Sequence, residues 1–390
     1  MTSLPRIYLD NAATSWPKPD GVYQAVDRYQ REQGAPYGRG GYARAEHVRR
    51  EVEAARLAVA RLIGAAEPRR VIFTSGGTDA LNLAIHGTLA EPAHVITTDH
   101  AHNSVLRPLT TLARQGRITL TRVAVSPSGE VDPAAFPAAW QRDTRLVVLT
   151  HASNVTGAIE PIEAIGRLAR ELGALVLVDA AQTLGELPLD VARLPIDLLA
   201  APGHKGLLGP LGTGVLYVAP GVEEQLSPTR QGGTGSESEL DMQPNSLPDK
   251  YESGNPNVPG ILGLGAGARW LAEQGIERLR ARTLELTVRL AAGLASIAGV
   301  RCIGPADATR RVGIVSFTLE GCDPHELAMM LDSGFGIEAR AGLHCAPSAH
   351  RAAGTLDVGG TVRLSLGPFN DAHDIDAAIE AVRQIAGQGL

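Results

Sequence analysis

The stretch "ALVLVDAAQ" at residues 174–182 decides the fold class, because an unbroken apolar run ends there in a carboxylate. A strand that is apolar at every position is covered on both faces, as in a parallel sheet between layers of helices. The carboxylate of Asp179 is costly to bury unless a cation, a donor or a ligand faces it. Ligands of such sheets bind at the carboxyl ends of strands, so Asp179 marks a candidate site. A helix N-cap or a salt bridge explains it equally well.

Six further β-rich runs surround this one, with stretches of helical spacing such as 79–89 and 162–172 between them. They are "RVIFT", "HVITT", "ITLTRVAV", "RLVVLTH", "IDLLAA" and "TGVLYVA". The alternation predicts an α/β fold whose large domain contains a mostly parallel, seven-stranded sheet.

A segment rich in proline and glycine at 227–260 is typical of long irregular structure. Helical patterns at 261–297 follow, and then a new alternation of strands and helices that predicts a smaller α+β domain. We place the large domain at 16–272 and form the small domain from 1–15 together with 273–390.

Composition narrows the class of protein. Hydrophobic residues make up 44% of the 390 and charged residues 20%, which are ordinary values for a folded soluble domain. No apolar run reaches the roughly 18 residues of a membrane helix, and the N-terminus lacks the pattern of a signal peptide, so we expect a cytoplasmic protein. The net charge of −6 is spread along the chain and argues against nucleic acid as a partner.

Cysteine and lysine are both sparse. The three cysteines, Cys302, Cys322 and Cys345, fit neither a disulfide framework nor a zinc site. Lys205 is one of three lysines among 36 basic residues and stands in the apolar, glycine-rich stretch "APGHKGLLGPLGTG". Burial there would lower the pKa of the amine and make it nucleophilic, although a surface lysine at a strand end is the alternative. The other two, Lys18 and Lys250, lie in polar turns near proline, and we expect both at the surface.

A possible anion cup lies in "VIFTSGGTDALNLAI", where Gly76, Gly77 and Thr78 join a strand to a helix. Glycines let backbone N–H groups approach an anion, and the start of the helix adds its dipole. The same residues also form ordinary strand-to-helix turns, so the motif alone is a weak signal for phosphate.

These features together suit one cofactor. Pyridoxal phosphate needs a lysine for its aldehyde, an acidic partner for its ring nitrogen and an anion cup for its phosphate. Lys205, Asp179 and the turn at Gly77 supply these groups, and His100 follows another strand, where its imidazole would stack on the ring. A metal site at His100 and His102 lacks further ligands at suitable spacing, so we expect no metal.

Several motifs, in their order and spacing, resemble the class V aminotransferase fold and, within it, the cysteine desulfurases. They are "YLDNAATS", "GGTDALN", "DHAHNS", "HASNVTGAIEPI", "VDAAQTLGELPLDV", "GHKGLLGPLGTGVLYV" and "RAGLHCAP". The short spacing around Cys345 is similar to group II of that family, whose relatives include selenocysteine lyases. The resemblance covers nearly the whole chain and implies a fold type I pyridoxal-phosphate enzyme.

The resemblance implies cofactor contacts one residue at a time. Lys205 would bond to pyridoxal 5'-phosphate, Asp179 would pair with the ring nitrogen, and His100 would stack on the ring and help to move protons. The remaining contacts would be Gln182 at the ring hydroxyl, with Gly77, Thr78 and His204 at the phosphate.

It also implies a substrate site for L-cysteine. Cys345 would attack the sulfur of the bound substrate, leaving alanine and a persulfide that passes to an acceptor. Arg340 and His344 would bias Cys345 toward the thiolate. Asn154 and Arg363, and with them Arg340, would contact the substrate, with the Arg363 guanidinium gripping its carboxylate.

Members of the family are homodimers with composite active sites, so Thr234 or Asn255 in the long loop would reach the phosphate of a neighbouring subunit. Pro202 replaces the serine of many relatives and removes one hydroxyl, and Asn255 replaces a threonine. Two alternatives stay open. One is a selenocysteine lyase or another amino-acid enzyme of the same fold, and the other is a non-catalytic binding protein.

Overall fold

The structure, a computed structural model, describes residues 6–38, 40–89, 92–237 and 239–388, and every structural statement below refers to these residues. The strands are β1 (Ile7–Tyr8), β2 (Val71–Thr74), β3 (Ala93–Thr98), β4 (Ile118–Val123), β5 (Thr144–Thr150), β6 (Leu175–Asp179), β7 (Leu198–Pro202), β8 (Gly214–Val218), β9 (Val300–Ile303), β10 (Ile314–Leu319), β11 (Ile337–Glu338), β12 (Arg340–Gly342) and β13 (Thr361–Ser365). The helices are α1 (Asp20–Arg28), α2 (Ala43–Leu62), α3 (Gly77–Thr88), α4 (Asn103–Arg114), α5 (Phe136–Ala139), α6 (Ile162–Glu171), α7 (Val258–Gln274), α8 (Ile276–Ala295), α9 (Pro324–Phe335), α10 (Pro347–Ala352) and α11 (Ala372–Gly387).

A seven-stranded sheet with the order β2-β8-β7-β6-β5-β3-β4 forms the centre of the large unit. Strand β8 is antiparallel to both of its neighbours, and the other adjacent pairs are parallel. The seven β-rich runs and the mostly parallel sheet predicted from the sequence are therefore confirmed. Because β2, β3, β5, β6 and β7 run in one direction, their carboxyl ends meet at one edge of the sheet.

Apolar side chains explain why these strands lie in the interior. Strands β3, β5, β6, β7 and β8 are buried at nearly every position, as expected for a sheet covered by helices on both faces. A hydrophobic core that extends in sequence from Ala25 to Leu271 includes this sheet and the helices against it. Within the described residues, no helix is both long and apolar enough to cross a membrane.

A second hydrophobic core lies in the C-terminal part of the chain. The antiparallel sheet β12-β13-β10-β9 packs there with α8, α9 and α11, and Leu9 from the N-terminal segment belongs to the same core. Strand β1 pairs in parallel with β11, and this pairing joins the N-terminal segment to the C-terminal part of the chain. These contacts support our division into a large domain at 16–272 and a small domain of 1–15 with 273–390, which we keep as a proposal. Residues 1–5 and 389–390 of that small domain lie outside the described part.

The segment 227–257 has neither helix nor strand among its described residues, in line with its composition. It ends where Asn257 caps α7, since the Asn257 side chain accepts a hydrogen bond from the N–H of Gly260.

Candidate active site

A cavity of about 190 Å³ lies at the carboxyl edge of the large sheet. Strand β6 ends in it at Asp179, strand β5 at Thr150 and strand β7 at Pro202, so the topology brings together residues that are far apart in sequence. Seven of the predicted site residues line this cavity, namely Gly77, Thr78, Asn154, Asp179, Gln182, His204 and Lys205.

The anion cup is formed by the first turn of α3. The N–H groups at the start of a helix have no partner within the helix and point at any anion placed there. A Cβ atom at Gly77 would lie 2.9 Å from Cδ of Pro202, so only glycine fits between α3 and the end of β7. The hydroxyl of Thr78 lies 2.8 Å from that of Ser104, a cavity residue that the sequence prediction missed.

Asp179 faces the cavity from the end of β6 and accepts a hydrogen bond of 3.0 Å from the N–H of Ala181. Burial raises the pKa of this carboxyl, and the nearby Lys205 opposes that rise. Gln182 is held by a hydrogen bond of 3.1 Å from its Nε2 to the carbonyl of Ala12. Both side chains are therefore fixed in position at the wall of the cavity.

Lys205 lines the same cavity. Burial lowers the pKa of its amine to about 8; the positive charge of Arg363 adds to that effect and Asp179 opposes it. A neutral amine is the nucleophilic form, so this environment increases the reactive fraction near neutral pH.

Three buried polar atoms of the cavity wall have no hydrogen-bond partner among the described residues. They are Nδ1 of His204, Oγ1 of Thr150 and Oδ1 of Asn154. Buried polar groups are rarely left unpaired, so such atoms in one cavity indicate a polar ligand. Together with the amine of Lys205, the carboxyl of Asp179 and the anion cup, they fit a phosphorylated aromatic aldehyde such as pyridoxal phosphate.

The two histidines that follow β3 lie in different surroundings. His100 is fully buried, its Nε2 hydrogen-bonds to the buried carboxylate of Glu160, and it does not belong to the residues that line the cavity. His102 lines the cavity instead. Its Nδ1 accepts a hydrogen bond of 3.0 Å from the N–H of Ser104, which fixes the ring at the start of α4. Burial lowers the pKa of His102 to about 4, with the charge of Lys205 as the next cause.

Lys18 is not a free surface lysine as predicted. Its Nζ donates hydrogen bonds of 2.7 Å to the carbonyl of Ser15 and 3.3 Å to the carbonyl of His204. The same His204 oxygen accepts from the Ser15 N–H and from the hydroxyls of Thr14 and Ser15. The N-terminal segment thus fixes the backbone directly before Lys205.

Cys345 lies in a short loop between β12 and α10 and is the exposed cysteine of the three. His344 and Cys345 both have left-handed backbone angles, with φ of 48° and 60°, which are strained for residues other than glycine. Two hydrogen bonds hold the loop against the large domain. Nδ2 of Asn154 donates to the carbonyl of His344 at 2.6 Å, and the N–H of Asn103 donates to the carbonyl of Cys345 at 3.0 Å.

Arg340 and His344, the two side chains predicted to bias Cys345 toward the thiolate, have different partners in the structure. Nη2 of Arg340 lies 3.8 Å from Sγ of Cys345 and donates to it. His344 turns inward, where its Nε2 lies 3.1 Å from the hydroxyl of Thr361, and burial lowers its pKa to about 2. Because burial disfavours the charged form of His344, we expect Arg340 rather than His344 to supply positive charge to the thiol.

Arg363 lies in β13, and its side chain is buried. Its Nη1 donates to the carbonyl of Asn154 at 3.0 Å, and its Nη2 forms an ion pair of 2.8 Å with Asp10. Its Nε is buried and has no hydrogen-bond partner among the described residues.

Thr234 and Asn255 do not join the cavity of their own chain. Thr234 hydrogen-bonds locally, with its hydroxyl donating to the carbonyl of Ser236 at 3.1 Å. Asn255 lines a separate groove with Arg230 and Phe73.

Comparison with known sequences identifies one protein family. The family model described as aminotransferase class-V matches residues 7–378. A protein of Methanothermobacter thermautotrophicus described as a probable cysteine desulfurase is 36% identical over 98% of this chain and 95% of its own length. A protein of Halalkalibacterium halodurans with the same description is 34% identical over 97% of this chain and 93% of its own.

Solved structures agree with these sequence matches. An apo cysteine desulfurase from Thermococcus onnurineus superposes with a TM-score of 0.92 at 31% identity, covering 99% of this chain and 95% of that one. A cysteine desulfurase from Escherichia coli, described as an S-sulfonic acid form, has a TM-score of 0.87 at 30% identity, covering 98% and 94%.

Proposed function

This chain belongs to the class-V aminotransferase family, and from that premise we propose that it is a cysteine desulfurase that uses pyridoxal 5'-phosphate. It converts L-cysteine to L-alanine and retains the sulfur as a persulfide on Cys345. The relatives named above are described as cysteine desulfurases, so they give no support to the alternative of a selenocysteine lyase.

One observation carries the assignment of Cys345. Hydrogen bonds from Asn154, which lines the cavity, and from Asn103, next to His102, bind the backbone carbonyls of His344 and Cys345 and so tie the loop of the exposed cysteine to the residues around the cavity. A reactive cysteine needs a nearby cation and access to its substrate, and Arg340 supplies the cation.

The residues of the cavity would bind the cofactor as follows. The start of α3 with Thr78 and His204 would hold the phosphate, Asp179 the ring nitrogen, Gln182 the ring hydroxyl and Lys205 the aldehyde. We propose His102 for the stacking role that the sequence prediction gave to His100, because His102 lines the cavity. When bound, the cofactor supplies an electron sink that weakens bonds to the substrate carbons.

The protein supplies orientation and the nucleophile. The guanidinium of Arg363, whose Nε has no partner among the described residues, would bind the substrate carboxylate, and the neutral amine of Lys205 would accept and return protons at the substrate. The sulfur of Cys345 then forms a bond to the substrate sulfur while the substrate C–S bond breaks. The electron pair stays with the substrate carbon, which gains a proton and leaves as alanine.

Intact mass measurement tests this function. After exposure to L-cysteine, we expect the protein to gain one sulfur atom, located on Cys345, and to release alanine. Cys345→Ala should lose both signals, whereas the control Cys322→Ala should keep them. Full alanine release by Cys345→Ala would refute the persulfide mechanism.

We also propose a homodimer in which Thr234 or Asn255 reaches the phosphate of the other subunit. Both residues lie outside the cavity of their own chain, and the exposed apolar side chains of Leu211, Leu240 and Met242 suit a covered surface. Light scattering tests the dimer, and cofactor affinity of Thr234→Val tests the shared site. The cytoplasmic location and a sulfur-acceptor protein remain predictions from the sequence and the family.

A further inference from the structure

A second, smaller cavity of about 30 Å³ is also lined by Lys205. We call it the rear chamber and define it by its polar lining of Asn11, Ser15, Glu186, Lys205, Arg280 and Thr283. Lys205 lines both cavities and is therefore the residue that the rear chamber shares with the cofactor site. A volume of this size holds about one or two water molecules, and polar groups are present to bind them.

Close backbone packing brings Glu186 next to Lys205. A Cβ atom at Gly185 would collide with the carbonyl oxygen of Gly206, so these two loops touch without side chains between them. Cγ of Glu186 lies 3.3 Å from where a Cβ of Gly206 would stand, one residue after Lys205. Within the described residues, the carboxylate of Glu186 takes part in no hydrogen bond or ion pair, and it borders the chamber.

Two cations act on the carboxyl of Glu186, namely Arg280 from α8 and Lys205 from the loop after β7. Burial raises the pKa of its carboxyl to about 7, and the cations of Arg280 and Lys205 oppose that rise. Arg280 belongs to α8, and its Nη2 donates to the carbonyls of Arg311 at 2.6 Å and Thr309 at 3.3 Å. In return, the Glu186 carboxylate raises the pKa of Lys205 against the effects of burial, Arg363 and Arg340.

We propose that Glu186 exchanges protons with Lys205 through the rear chamber and so sets the charge of the lysine. A proton leaves the Lys205 ammonium for the Glu186 carboxylate, directly or through a chamber water, and yields a neutral amine and a neutral carboxyl; the reverse step restores both charges. Glu186 is thus a positioning residue that acts through Lys205. The inference rests on the proposed function only for the role of Lys205.

The chain offers a clean measurement, because Lys18, Lys205 and Lys250 are its only lysines. The full-length apoprotein is labelled with trace acetic anhydride between pH 6 and 10, and acetylation of Lys205 relative to Lys250 is read by peptide mass spectrometry. Removing the carboxylate in Glu186→Gln should lower the labelling midpoint of Lys205 by about one pH unit, a tenfold change in neutral amine below the midpoint.

Two matched variants separate charge from packing. Glu186→Asp keeps the carboxylate and should stay near the wild-type midpoint. Glu380→Gln removes an exposed carboxylate that pairs with Arg383 and should leave both Lys205 and the reference Lys250 unchanged. Equal midpoints in wild type and Glu186→Gln would overturn the proposal, and so would equal shifts in Glu186→Gln and Glu186→Asp. Alanine release from L-cysteine, measured on the wild-type holoenzyme, tests the desulfurase function separately, since the labelling requires no turnover.

Discussion

Nη2 of Arg340 lies 3.8 Å from Sγ of Cys345, at the end of a strand that the small sheet holds rigidly. Strand β12 pairs with β13, and Arg340 is directly opposite Arg363 in that register. The cation beside the thiol and the cation that would bind the substrate carboxylate are therefore set by one pair of strands.

From this relationship we expect Arg340→Gln to slow the alkylation of Cys345. A cation near sulfur stabilises the thiolate, which is the form that reacts, so loss of the guanidinium should reduce the rate with iodoacetamide at pH 7 on the order of fivefold. Peptide mass spectrometry resolves Cys345 from the partly buried Cys302 and Cys322. The control is Arg351→Gln on the exposed side of α10. An unchanged rate in Arg340→Gln would contradict the role assigned to this cation.

A methyl group at Gly77 should damage the anion cup. In Gly77→Ala the new Cβ lies 2.9 Å from Cδ of Pro202 and 3.0 Å from its N, so α3 or the end of β7 must move. We expect a loss of about 1–3 kcal/mol in the free energy of unfolding, and a clear loss in cofactor affinity by fluorescence titration.

Gly76→Ala is the matched control, because no atom lies within 4 Å of a Cβ there and the φ of Gly76 is extended. Equal cofactor affinity in the two variants would mean that cofactor binding does not depend on the absence of a side chain at Gly77.

Replacing each histidine after β3 should separate their roles. His102→Ala should shift the visible absorption of the holoenzyme, because His102 lines the cavity, and should change the free energy of unfolding little. His100→Leu should instead cost about 3 kcal/mol, because it removes the imidazole partner of the buried Glu160 carboxylate and leaves it only the hydroxyl of Thr98. Chemical denaturation of the apoprotein measures the second effect. A spectral shift in His100→Leu alone would reverse the assignment.

The sequence was sufficient to predict the sheet and half of the residues that line the cavity. Parallel strands bring their carboxyl ends to one edge, so Asp179, Lys205 and the turn at Gly77 could be placed together from strand order alone. The choice between His100 and His102 depended on the direction of the turn after β3, which spacing does not encode. The contact of Lys18 depended on a carbonyl 186 residues away. The charge of His344 could not be predicted because burial, which sets it, is a property of the folded loop.

Acid should destabilise the apoprotein, and His151 should account for a measurable part of the loss. This ring is buried behind the cavity, its Nδ1 lies 2.9 Å from the hydroxyl of Thr183, and burial lowers its pKa to about 4. An unfolded histidine titrates near 6.5, so between these values the unfolded state binds more protons. The stability from neutral His151 is therefore present above pH 6.5 and is lost as the pH falls toward 4.

We expect the free energy of unfolding to fall between pH 7 and pH 5, and His151→Asn to reduce that fall by about 2 kcal/mol. Urea denaturation at each pH provides the measurement. His47→Asn is the control, because its side chain is 49% exposed and should leave the fall unchanged. The raised pKa of Glu186 acts with the opposite sign, since that carboxyl binds more protons in the folded state between its ordinary value and about 7. If His151→Asn and His47→Asn lose stability equally on acidification, the conclusion that His151 is neutral in the folded protein is wrong.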